Sequence, residues 1–364
     1  MVIPNESFSG SYAPEEVSFL MRRMHMETTA LGQREKLIQS GQRHYSEMIG
    51  PEDAPTRGRM QLFRESLASN GQRMAADISV LAAALAASAV DGELTVVSIA
   101  RAGTPIGVLL WHRLRQVAPH LRLKHYSISV IRDRGVDYAA LRWILERHSP
   151  SSLRFVDGWT GKGTIADELR HSITVWPEAP PDLDSGLWVP LDVCGAAVFA
   201  ASSRDYLIPS SLLGGTLSGL ISRSVLPHGE EGRDAFHGCV PLNYLRRYDL
   251  SRWFIAKMNS LMAGIAHPDS APNASEGNPR RVETSRCLEH MLARHDLSDR
   301  NRIKLGIGET VRVLLRRLPH VIWLGGRANA TDSDVIRRLA ALRNVPVKTE
   351  VDLSFDAIAV IASA

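Results

Sequence analysis

The sequence predicts an α/β fold: a mostly parallel sheet with flanking helices, a helical N-terminal extension and a small C-terminal α/β unit. Three observations predict it. From Leu94 onward, short apolar runs rich in β-branched residues alternate with helical stretches, the pattern of a parallel sheet covered on both faces. Before Leu94, apolar residues recur at three- and four-residue spacing, which is a helical texture. At the far end, a short strand–helix–strand–strand succession closes the chain.

Within residues 1–87, helices are expected over Glu15–Met24, Gly32–Met48 and Gly58–Ala87, broken by the prolines of Pro51–Arg57. Leu94–Ala100 reads as a buried strand, and Arg101–Gly107 as a turn leading into a helix over Val108–Val117. Leu123–Ile131 follows as a strand, Tyr138–Arg147 as a helix and Leu153–Val156 as a third strand. Thr164–His171 opens a further helix, and Leu187–Leu191 and Ala196–Ala201 add apolar segments. Residues 268–284 contain three prolines and few large apolar side chains, so they read as a linker. His320–Leu324, Asp332–Arg343, Val345–Val351 and Ile358–Ala362 form the closing pattern. The expected division is therefore 1–267, the linker 268–284, and 285–364 as a connecting helix with a small α/β unit.

The chain has 364 residues, enough for two or three domains. Hydrophobic residues make up 44% and charged residues 23%, so a sizeable core can form. No apolar run approaches the roughly 20 residues that span a bilayer. Met1–Gly10 has no basic segment followed by an apolar one, and the three cysteines, Cys194, Cys239 and Cys287, lie far apart. A cytoplasmic location with reduced thiols is expected. The net charge of +4 permits a phosphate or nucleic-acid partner without requiring one.

Chemistry concentrates in Arg154-Phe-Val-Asp-Gly-Trp-Thr-Gly-Lys-Gly-Thr164, where a strand runs into an acid, a Gly/Thr loop and a helix start. Gly161 and Gly163 free the backbone so that several N–H groups can face one anion. The helix from Thr164 adds its positive end. Thr160 and Thr164 supply hydroxyls, Lys162 supplies charge, and Asp157 can accept from sugar hydroxyls. Ligands of open α/β sheets sit at this edge. The bland alternative is a plain helix start with Thr164 as its cap. A P-loop fails on spacing, because only two residues separate Gly158 from Gly161 and Gly163 separates Lys162 from Thr164.

A second strand-to-helix loop, Ser98–Gly107, carries Arg101, Ala102, Gly103 and Thr104, a set suited to a diphosphate or to an ordinary turn. Ile131–Asp137, with Arg132, Arg134, Gly135 and Asp137, suits either a mobile hood over the ligand or a solvated turn. Ser202–Tyr206, including Asp205, and Ser218–Arg223 offer further polar contacts. Lys36, Ser40, Arg43, His44, Tyr45 and Glu47 lie on one dense stretch, where His44 and Glu47 would share a helical face.

The two loops resemble the diphosphate and ribose-phosphate loops of the phosphoribosyltransferase fold. More closely, the chain resembles a family of tellurite-resistance-type stress operons once labelled the StiP cysteine protease family. The matching stretches are Gly10–Leu20, Glu35–Met48, Tyr126–Asp137, Val156–Gly163 and Asp205–Ser211, within residues 8–265. The tail, from about residue 300, resembles a Pelota-type RNA-binding domain, led by Ile303–Arg317.

The resemblance implies a phosphoribosyltransferase-type sheet and transfer of a phosphoribosyl group from phosphoribosyl diphosphate (PRPP) to an unknown base-like acceptor. It implies a 5′-phosphate in the 160–164 loop, ribose on Asp157 and diphosphate on Arg101–Gly103. Arg132 and Arg134 would close over the ligand, with Asp137 and Asp205 as further contacts. Mg²⁺ would be carried by the diphosphate, with Asp157 as an alternative ligand. Gly158 departs from the second acid common in that fold. A weakened fold acting as an RNA- or nucleotide-binding regulator therefore stays open, as does a homodimer. A cysteine protease is the remote alternative, since His237 and Cys239 are close in the chain whereas a catalytic pair normally meets through the fold, and Cys194 sits in an apolar run.

Overall fold

A computed structural model describes residues 6–230, 234–266 and 278–361. Its central strand follows from composition: Glu93–Ile99 carries aliphatic and small hydroxyl residues, and every position after Glu93 is buried. Thr95 and Ser98 are tolerated there because Thr95 Oγ1 bonds the Ser152 hydroxyl and Ser98 Oγ donates to the Tyr126 carbonyl.

In chain order, the first part comprises β1 (Ser18–Phe19), β2 (Arg22–Arg23), α1 (Leu31–Gln39), α2 (Arg57–Ala87), β3 (Glu93–Ile99) and α3 (Thr104–Val117). Then come β4 (Arg122–Ile128), the hairpin β5 (Val130–Ile131) and β6 (Gly135–Val136), α4 (Tyr138–Leu145) and β7 (Leu153–Val156). They are followed by α5 (Thr164–Val175), β8 (Leu187–Leu191), β9 (Phe199–Ser202), β10 (Gly238–Cys239) and α6 (Ser251–Met262). The last part holds α7 (Asn278–Arg294), β11 (Ile303–Leu305), α8 (Ile307–Arg316), β12 (Pro319–Gly325), α9 (Ala330–Ala341), β13 (Val347–Glu350) and β14 (Ala357–Ile361).

The main sheet has six strands in the order β1-β4-β3-β7-β8-β9, all pairs parallel. Helix α2 covers one face with Phe63, Met74, Ile78, Leu81 and Leu85, all fully buried, and Thr56 caps it by accepting from the Arg59 N–H. Helices α4 and α5 cover the other face through Leu141, Ile144, Leu169 and Ile173. The mostly parallel α/β expectation therefore holds. The tail forms its own four-stranded sheet, order β11-β14-β12-β13, in which only β12 and β13 run parallel. Among the described residues, no helix is long and apolar enough to cross a membrane.

Three expectations need correction. Glu15–Met24 is not a helix. Ser18–Phe19 pairs with Tyr126–Ser127 at the sheet edge, and Arg22–Arg23 pairs with Gly238–Cys239. The need to cover an open sheet edge outweighs local helical spacing. The second helix stops at Gln39 rather than Met48, because Gly41 adopts a positive φ of 69°. Of the expected linker, residues 278–284 are the first turns of α7, while 268–277 lie outside the described residues.

The tail shares a hydrophobic core with the main part, and two carboxylates fix it there in addition. Asp332 is fully buried; its Oδ1 accepts from Asn70 of α2 at 2.8 Å, and its Oδ2 accepts from the Leu207 N–H at 3.1 Å. Asp205, half-buried, accepts from the Ile307 N–H at 2.8 Å. Its carboxyl is pushed up to about 7, first by lost hydration and then by the nearby Asp356 and Asp332 charges.

Asp332→Ala strands two buried donors, so it should lower stability by about 2–4 kcal/mol. Urea denaturation checks this, and a loss under half a kilocalorie would remove Asp332 as the fastening. Asp205 has a folded value near 7 against 3.8 unfolded, so the folded form holds an extra proton in that window. Stability should fall as pH rises from 4 through 7, and Asp205→Asn should flatten that slope.

Candidate functional site

Strands β3 and β7 are parallel neighbours, so the loops that follow them leave the sheet at the same edge. Gly103 shows how tightly these loops approach. A Cβ there would lie 2.8 Å from the Ile99 carbonyl, 2.9 Å from the Val156 carbonyl and 3.0 Å from Asp157 Cα. Gly158 meets the Ala102 carbonyl in the same way, at 3.3 Å. The Arg101 turn and the Asp157–Thr164 loop therefore share one wall. The opposite wall comes from β11 and α8, since a Cβ on Gly161 would lie 2.5 Å from Glu309 Cγ and 3.1 Å from the Leu305 carbonyl. Between them lies a cavity of about 520 Å³, bordered also by Tyr45, Glu52 and Arg223.

The structure brings Arg101, Arg132, Asp157, Thr160, Gly161, Lys162, Gly163 and Thr164 to this cavity. Many of their polar groups already have partners. The Arg101 guanidinium pairs with both oxygens of Glu52 at 2.7 Å and donates to the Ile221 carbonyl. Thr160 Oγ1 donates to Asp192, which also accepts from the Cys194, Gly195 and Ala197 N–H groups. Lys162 reaches across to the Arg300 carbonyl at 2.8 Å and to Asn301. Gly163, at φ 86°, is the N-cap of α5 and gives the sharp entry to that helix. Arg132 pairs with Asp133 and lies over the Tyr45 ring.

Other expected contacts stand elsewhere. Thr104 is buried against Ser127. Asp137 is buried as the cap of α4 and accepts from the His237 N–H. Asp205 holds the tail, and Arg134 pairs with Glu47 at 3.0 Å. These are structural partnerships, and Thr104, Asp137 and Asp205 do not line this cavity.

The cavity has more cations than acids. Glu35 is paired with Arg317, Glu309 with Arg312, and Glu52 with Arg101. Among the described residues, the Lys304 amine and the Arg316 guanidinium have no hydrogen-bond or ion-pair partner within reach. Burial pushes Lys304 down to about 7, and neighbouring Lys162 adds to the shift. Arg316 is pushed down to about 9 by burial, with Arg101 and Arg312 contributing. Burial lifts Asp157 to about 7, although the Gly158 N–H and Arg312 oppose the shift. Among the described residues, no group of three His, Cys, Asp or Glu side chains could hold a metal ion.

The sequence reading missed Glu52 and Lys304 altogether. Glu309, Arg312 and Arg316 are spaced as one helical stripe, and that stripe faces the cavity.

The thiols are not arranged as activated nucleophiles. Cys194, Cys239 and Cys287 are all buried and unpaired by disulfides, and burial pushes each up to about 12. His237 points its ring at Ser129 Oγ, 2.9 Å away, and not at Cys239.

Residues 10–259 match the family of the tellurite-like stress resistance cysteine protease StiP. The chain belongs to the StiP family. A relative from Acinetobacter baylyi, named cysteine protease StiP, is 39% identical over 364 residues, covering 96% of this chain and 93% of the relative. In this StiP-family chain, residues 282–363 match the PELOTA RNA binding domain, so that domain begins within α7, earlier than the tail boundary near 300 read from sequence. No solved structure matches the chain. These matches overturn the expected phosphoribosyltransferase activity. The curated relative is named a cysteine protease, and neither name refers to a transferase. A pair of glycine-bearing turns at one sheet edge specifies a place for an anion, not a reaction, which is why the loops misled.

The raised thiol values predict slow alkylation. At pH 8 the native protein should react with iodoacetamide at least tenfold more slowly than the urea-unfolded chain. Equal rates would mean a thiol more exposed and more acidic than this structure has.

Proposed function

We propose that this StiP-family protein acts in tellurite-like stress resistance by binding a phosphate-bearing ligand in the cleft between the main sheet and the PELOTA domain. The observation that carries this is the pair of unpartnered cations, Lys304 and Arg316, facing one cavity beside Arg101, Arg312 and Lys162. Partly buried cations with no direct ion pair are costly even with Glu309 and Glu52 nearby, and an incoming anion lowers that cost. The amides near Gly161–Thr164 and the start of α5 add a positive field on the same side. Asp157 suits a sugar hydroxyl, and Mg²⁺ would arrive with the ligand's phosphates, with Asp157 as an alternative protein contact. The ligand's phosphates would displace Glu52 from Arg101.

Sulfate tests the reading, because its charge is constant near neutrality. As pH rises from 6 to 8, Lys304 loses its proton and Asp157 loses its own, so the cleft becomes less positive. Sulfate affinity, measured calorimetrically, should fall about tenfold over that range, and Asp157→Asn should make the fall shallower. Glu52→Gln, which frees Arg101 from a competing charge, should tighten binding about three- to tenfold. Absence of any sulfate or pyrophosphate binding would defeat the proposal.

A second reading comes from the relative's name, cysteine protease. One observation favours Cys194 as its nucleophile: it lies at the same sheet edge, its Sγ 3.4 Å from Thr160 Oγ1 in the loop that borders the cleft. The reading requires that substrate binding expose this thiol and bring a base to it. Casein hydrolysis by the purified protein, lost in Cys194→Ala, would support it. Hydrolysis retained in that variant would exclude Cys194.

A further inference from the structure

This inference rests on the phosphate-binding reading above and narrows its ligand. The RNA-binding domain contributes Lys304, Arg312, Arg316 and Arg317 to the cavity wall, so these cations do not form a free outer face. An RNA that uses them must enter the cleft. A cavity of about 520 Å³ is the size of a small-molecule site, so neither a duplex nor a folded RNA fits inside it. Only the end of a strand does.

Two aromatic rings stand ready for its base. The Arg312 guanidinium lies 5.7 Å from the centre of the Trp159 ring, and Arg132 and Arg223 lie 5.1 Å and 5.3 Å from that of Tyr45. Aromatic and guanidinium planes of this kind stack unpaired bases. Trp323, the tail's own tryptophan, is buried and does not line this cavity. The stacking surface therefore lies where the two parts of the chain meet.

A terminal phosphate carries more charge than an internal phosphodiester, and the unpartnered Lys304 and Arg316 are placed to receive it. We infer that the cleft takes the phosphorylated end of a single-stranded RNA, gripped jointly by the main sheet and the PELOTA domain.

The test uses the full-length protein and one ten-nucleotide RNA sequence carrying an internal fluorophore. Four forms are compared by anisotropy: 5′-phosphorylated, 3′-phosphorylated, hydroxyl at both ends, and circularised. At least one phosphorylated linear form should bind tenfold or more tightly than the hydroxyl-ended and circular forms, and which one identifies the end recognised. Arg316→Gln and Lys304→Met should each weaken binding of the phosphorylated form tenfold or more and so erase that preference. Having two variants covers a fold defect in either, which melting curves reveal. A circular RNA that binds as tightly as the phosphorylated linear ones overturns the inference. If pyrophosphate still binds in that case, the phosphate-binding reading survives, and if it does not, both fall.

Discussion

The cleft depends on the joint that holds the tail against the main sheet, a shared apolar core in which two carboxylates fix the register. Asp332 ties α9 to α2 and to the Leu207 backbone, and Asp205 ties the first turn of α8. Every later feature follows from that fastening. It places Glu309 and Leu305 against Gly161, and it turns the basic stripe of α8 inward. Neither part alone would bring Arg101 and Arg316 into each other's field. Buried carboxylates are a demanding way to join two units, because each is stable only while all its donors stay in place. The joint is therefore specific in register.

Inside the cleft, electrostatics and packing pull in different directions. Gly103 and Gly158 let two strand-end loops touch, which brings Asp157 close under the Arg101 turn. That closeness excludes water and lifts the Asp157 carboxyl toward neutrality. On the facing wall, the same loss of water lowers Lys304 and Arg316. The site thus holds an acid and a base that both titrate near physiological pH, and whatever enters resolves their charge. The thiols lie apart from this balance, since burial is the largest cause of each one's raised value.

Much of the scaffold was legible in the sequence, for identifiable reasons. The strands at 93–99, 153–156 and 187–191 announce themselves as largely apolar runs because most of their positions are buried. Helix α2 reads clearly because its apolar face is long. Edge strands such as Ser18–Phe19 were invisible, being two residues long and defined only by their partner. The meeting of the 101–104 and 157–164 loops was legible as a consequence of parallel pairing. The other wall of the cleft was not. Glu52 belongs to a segment with no motif, and its importance arises from a contact over a sequence distance of 49 residues, while Lys304 gains its setting from the distant Lys162. The chemistry was misread for a related reason: loop geometry at a sheet edge is shared by unrelated activities.

Glu52 gives the cleft a gatekeeper of its own. Its carboxylate already satisfies both arms of Arg101 and accepts from the Gly215 N–H, and it is tethered, so its effective concentration at the guanidinium is high. Chloride, acetate and other singly charged solutes present the guanidinium with nothing better than what it holds. A visitor with several adjacent negative charges can outbid it by engaging Arg316 and Lys304 at the same moment. On the phosphate-binding reading, the resident side chain turns a merely basic hollow into one that answers to charge density.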